Sequence, residues 1–179
     1  MAEKAAYMGM ITDYVTGHDV PDIGAEANRQ AVERFLVDDR GYRRRDIRVD
    51  TPVELTIGGA PYRSKIDLMI WVDGEDKAAV MIKCAAGSLG SREREVVSAA
   101  RILLGYQVPI AVAADGVSAV VLDTVSGKRI GSGMSAIPSK SELMGRLSTL
   151  RFYPYPEDRV EREKLIYRSY DIMNIHSRP

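Results

Sequence analysis

The spacing of apolar residues changes several times along the chain, and each change marks an element. Over residues 25–37, Ala27, Ala31, Val32, Phe35 and Leu36 recur at helical spacing against Glu26, Arg29, Gln30, Glu33 and Arg34. That pattern predicts an amphipathic helix, stopped near Gly41. Residues 3–15 also have helical character, with Ala6, Met10 and Ile11 on one side, until Gly17, Pro21 and Gly24 break it. The period then falls to two. Val53, Leu55 and Ile57 alternate with Glu54 and Thr56, and Gly58-Gly59 turns the chain. Ile66, Leu68, Ile70 and Val72 then point one way, while Asp67, Met69, Trp71 and Asp73 point the other. The turn "DGED" leads into a third strand over residues 78–84, so short turns predict an antiparallel meander.

A second helix is predicted in "GSLGSREREVVSAARILLGY", with Ser91 as its cap and Val96, Val97, Ala100, Leu103 and Leu104 on its buried side. "VPIAVAADGVSAVVLD" reads as two strands around an Asp115-Gly116 turn. A short strand follows in "TVSGKRIGSG", and residues 157–174 form a charged helix. This order predicts a mixed sheet with helices packed on it, in the α/β (α+β) class. Three segments of one compact unit are expected: an N-terminal helical segment 1–21, a core 22–137 and a helical extension 138–179.

Composition narrows the choice of partners. Lys plus Arg and Asp plus Glu number 25 each, so an anionic partner must be met by a local patch. One such patch is "GYRRRDIR", where Arg43, Arg44, Arg45 and Arg48 can neutralise phosphates, although a short charge run at a junction also reads as a solvated turn. The single cysteine, Cys84, excludes an internal disulfide and a cysteine-based zinc cluster, and reads as a small buried apolar residue. No apolar run is long enough to cross a bilayer, and the first residues carry acids with no apolar core, so the expected location is cytoplasmic.

The candidate chemistry begins with Lys83. It sits inside the apolar run "AAVMIKCAA", where an unpaired ammonium is costly. Asp67 on the preceding strand is an available counter-charge. The simpler alternative has the lysine stem lying along the sheet with its head in water. His18 and His176 are far apart and suggest no metal pair.

"GAEANRQAVERFLVDDRGY", "SKIDLMI", "VMIKCAAGSLG" and "YQVPIAVAADG", in that order, resemble the PD-(D/E)XK restriction-endonuclease-like fold. The chain looks most like the N-terminal nuclease domain of type I restriction enzyme R subunits, over residues 22–131. The resemblance implies a restriction-endonuclease-like mixed central sheet flanked by helices, acting on DNA. It implies Mg²⁺ held by Asp67, by the auxiliary helix acid Glu26 and by the Ile82 backbone carbonyl, with Lys83 as the positive catalytic residue. It also implies a restriction-modification or motor subunit as partner.

One departure stands out. Where the family carries an acid two residues before the lysine, this chain has Met81, and a thioether does not replace a carboxylate for Mg²⁺. Two outcomes follow: a degenerate Mg²⁺-dependent phosphodiesterase, or an inactive nuclease-fold module that binds DNA or a protein. Glu93 or Glu95 could supply a migrated carboxylate. A third reading is a small structural protein whose helical tail makes a homodimer. Both nuclease readings expect Asp67 and Lys83 to converge in one pocket.

Overall fold

A computed structural model describes residues 9–72 and 76–176, so residues 1–8 and most of the "DGED" turn lie outside the described residues. The chain opens with β1 (Met10–Thr12) and β2 (Asp19–Pro21), an antiparallel ribbon where the sequence suggested a helix. Its turn explains the difference. Asp13 Oδ1 accepts from the N–H groups of Val15 and Thr16, and Gly17 adopts φ 75°, so the side chain offers the backbone an alternative to helical bonding. Helix α1 (Glu26–Arg34) runs on into a π-helical turn over Phe35–Asp39.

A six-stranded mixed sheet follows: β3 (Ile47–Ile57), β4 (Ala60–Trp71), β5 (Ala78–Cys84), β6 (Ile110–Ala114), β7 (Ala119–Asp123) and β8 (Arg129–Ser132), in that spatial order. All neighbours are antiparallel except β5 and β6, which are joined through helix α2 (Leu89–Ile102). A parallel pair needs such a crossover. Ser88, not Ser91, caps α2, accepting from the Gly90 N–H. Helices α3 (Lys140–Arg146) and α4 (Glu157–His176) complete the α+β fold.

The sheet is covered on both faces. On one, Leu68, Ile70, Val80, Ile82, Cys84 and Val112 pack with Val32 and Leu36 of the α1 segment. On the other, Met69, Met81, Ala111, Ala113 and Val53 pack with Val96 and Ala100 of α2 and Tyr167 of α4. This double cover explains why β6, and β5 apart from Lys83, read as apolar runs: every residue of both is buried.

Candidate functional site

β4 and β5 pair from Trp71/Ala78 as far as Leu68/Ile82 and then splay. Beyond the last rung, two side chains satisfy backbone groups that the sheet no longer pairs. Asp67 Oδ2 accepts from the Cys84 N–H at 2.6 Å, and Lys83 Nζ donates to the Lys65 carbonyl at 2.9 Å. On the other edge of β4, the ladder with β3 lacks the Asp50/Asp67 rung, and Asp50 has φ 50°. The pairing register is the same on both sides of that rung, but the alternation of faces along β4 changes there. Leu68 and Ile70 face α1, yet Ile66 faces α2 beside Met69, so the single alternation expected from the sequence does not persist through Asp67.

That change separates the two residues expected to meet. Without it, Asp67 and Lys83 would be direct cross-strand neighbours, since Leu68 opposes Ile82. Instead Asp67 enters a cavity of about 170 Å³ on the α1 side, together with Glu26, Arg29, Asp50, Lys65 and Cys84. Arg29 is the hub of this cavity. Its Nη2 lies 2.7 Å from Glu26 Oε1 and 3.1 Å from Asp13 Oδ2, and its Nη1 lies 3.4 Å from Glu33 Oε1. Gln30 also donates to Glu26 Oε1, at 2.7 Å, and Lys65 pairs with Asp50 at 2.8 Å. Asp13 and Glu26 already outnumber the single guanidinium, which leaves Glu33 as a surplus acid. Burial first, then the nearby Asp13 charge, pushes the Glu33 carboxyl up to about 7.

Lys83 belongs to a different cluster, on the α2–α4 side. It is 3% exposed, and its Nζ lies 2.9 Å from Glu95 Oε1 of α2 and 3.6 Å from Asp171 Oδ1 of α4. Arg92 engages the other Glu95 oxygen at 2.9 Å, and the Tyr62 hydroxyl donates to Asp171 at 2.5 Å. Burial alone would push the lysine down. The charges of Asp67, Glu95 and Asp171 outweigh it and hold the ammonium well above its ordinary value. Asp67 is therefore close enough to be felt, although its oxygen is bonded elsewhere.

Among the expected site residues, Glu26 and Asp67 share the α1-side cavity, whereas Lys83 points to the other face and Met81 is core beside it. On the cavity side β5 presents Cys84 and, two residues earlier, Ile82. Ile82 is fully buried between its partners Leu68 and Val112, and it does not line the cavity. Glu95 was a candidate metal ligand, and here it pairs with Lys83 and Arg92. Arg43, Arg44, Arg45 and Arg48 are exposed and lie outside the cavity, with Arg44 over the Tyr14 ring and Arg48 3.6 Å from the centre of the Trp71 ring. Sequence reasoning missed Arg29, which read as part of a solvated helix face. The signal was there: Arg29 sits one turn from both Glu26 and Glu33.

A divalent ion finds too few free donors here. Both Glu26 oxygens are occupied by Arg29, one also by Gln30, and Asp67 holds a backbone N–H. Among the described residues no group of three or more His, Cys, Asp and Glu side chains is arranged to hold a metal. The guanidinium of Arg29 stands among the acids as their built-in counter-ion.

Residues 24–138 of the 179 match the family model for the type I restriction enzyme R protein N terminus. The chain belongs to that family. No curated protein and no solved structure matches it.

Proposed function

We propose that this chain is a DNA-binding module of the restriction-enzyme R N-terminal type that does not itself cleave. The observation carrying the reading is the Arg29 guanidinium in the cavity: it engages both Glu26 oxygens, Asp67 Oδ2 accepts from the Cys84 N–H, and the facing side of β5 offers Ile82 and Cys84 in place of an acid. The family suggests dependence on a divalent metal in general, but a hard cation needs several free carboxylate oxygens, and here Arg29 holds both of Glu26 while Asp67 keeps one of its two bound to a backbone N–H. No metal-dependent step is assigned. Family membership and the exposed arginines Arg43, Arg44, Arg45 and Arg48 support the DNA part, since guanidinium groups neutralise phosphates. The family also supplies the setting in which a restriction-modification subunit would be the protein partner.

The test pairs two assays. Supercoiled and linear DNA incubated with the protein and Mg²⁺ or Mn²⁺ should remain uncut, while a labelled duplex binds with strong salt dependence. Metal-dependent nicking abolished by Asp67→Asn would reverse the reading in favour of a nuclease.

A further inference from the structure

A second concavity lies between α2 and α4, on the sheet face away from the acidic cavity. Arg94 and Arg101 of α2 and Arg159 and Arg162 of α4 surround it, with Tyr155 and Glu163, and it encloses about 350 Å³. Four guanidinium groups thus face one carboxylate. That carboxylate is already engaged: Glu163 is 3% exposed, accepts from Arg101, Ser98 and Tyr155, and lies 3.8 Å from Arg94. Nearby, Asp158 reaches its neighbour Arg159 only at 3.9 Å with both side chains in solvent, and Glu161 pairs with Lys164. The local balance stays positive in a chain whose formal net charge is zero.

The arrangement is more than a solvated charge run. Arg101 is 11% exposed and is held from three directions, by Glu163 and by the carbonyls of Thr124 and Val125. Its stem and the Tyr155 ring form a fixed wall, with the guanidinium 5.7 Å from the ring centre. Around that wall stand the half-buried Arg94 and the exposed Arg159 and Arg162. Converging like charges repel unless an anion joins them, and the planar fork of arginine matches phosphate oxygens in pairs.

We propose that α2 and α4 together form a phosphate-binding site at Arg94, Arg159 and Arg162, with Arg101 fixed as the wall behind them. The inference rests on the DNA-binding reading only for the source of the phosphate, the backbone of a duplex. Half of the site lies beyond residues 24–138, so it is a feature of this chain and not of the matched segment.

Two probes separate the site from its source. Calorimetry with inorganic pyrophosphate and anisotropy with a labelled duplex, across a salt series, are run on the wild type, on Arg159→Gln/Arg162→Gln, on Arg94→Gln and on the control Arg146→Gln in α3, which packs on the opposite face of the sheet. All these positions are partly or fully exposed, so folding is preserved and is checked by melting. The α4 double variant should lose pyrophosphate binding, weaken duplex binding roughly tenfold and lower the salt slope by about 2. Arg94→Gln should act in the same direction. The control should leave pyrophosphate binding untouched. If pyrophosphate binding is lost while the duplex is unaffected or never bound, the site stands, its phosphate comes from a small molecule, and in the latter case the DNA reading falls. Variants that match the wild type with both probes overturn the site.

Discussion

Lys83 shows how neighbours settle the state of one buried charge. It lies in the strand where a catalytic lysine is expected, yet its head group is satisfied by Glu95, Asp171 and the Lys65 carbonyl. Removing one member of a buried ion cluster strands the others, at a cost of about 3–5 kcal/mol. Lys83→Met should therefore lower stability by roughly 3 kcal/mol in urea unfolding while leaving the DNA affinity of the folded fraction unchanged. A variant as stable as the wild type would contradict the assignment. Glu33 gives a second, pH-dependent signature. Its folded value, near 7, lies above the ordinary 4.5, so the folded state holds the extra proton between those values. Stability must then fall as pH rises from about 4.5 to 7 and level off above, by an amount on the order of 3 kcal/mol at most. Asp13, Glu163 and Asp171 are all shifted downwards and titrate below this window. Glu33→Gln should remove the slope in denaturation curves measured from pH 5 to 8.

At the scale of elements, periodicity and turn chemistry were enough to find the helix of α1, the β3–β4–β5 meander, the β6–β7 hairpin and α4. What could not be read was the phase at Asp67, where the β3–β4 ladder loses the Asp50/Asp67 rung and the alternation of faces changes. A one-residue change of phase alters which face a side chain occupies. For the same reason the candidate site was half legible: Glu26 and Asp67 could be paired by type, but the cavity side of β5 was assigned to Met81 and Lys83 when it carries Ile82 and Cys84. The β6–β7 turn illustrates the opposite case, where a local signal had a tertiary cause. Gly116 has φ 87°, and a Cβ there would lie 2.8 Å from the Ala31 Cβ and 3.1 Å from the Asn28 carbonyl oxygen of α1. The turn can seat against α1 only without a side chain. Gly116→Ala should cost about 2 kcal/mol or more, from backbone strain and forced separation together, and should lower the melting temperature. An unchanged melting temperature would mean that the turn does not dock on α1.

Across the whole molecule, the sheet separates two charged clusters, each with partners of the opposite sign. Asp13, Glu26, Glu33, Asp50 and Asp67 gather on the α1 side, whereas Arg94, Arg101, Arg159 and Arg162 gather between α2 and α4, and the net charge of zero conceals both. The second half of this division depends on α4, which lies outside the matched residues 24–138 but is built into the same core. Tyr167 is fully buried against the α2-side cluster, Asp171 faces Lys83, and Glu163 ties α4 to Ser98 and Arg101 of α2. Burial of the Tyr167 side chain alone contributes about 2 kcal/mol, and removal of Asp171 and Glu163 would leave buried cations short of counter-charge. A chain ending at residue 150 should therefore lack a cooperative thermal transition by circular dichroism and bind hydrophobic dye. A synthetic peptide of residues 152–179 added in trans should restore the transition in part. A shortened chain that melts cooperatively within a few degrees of the full one would show that residues 9–150 form a complete core without α4, and that the ion cluster around Lys83 survives open to water.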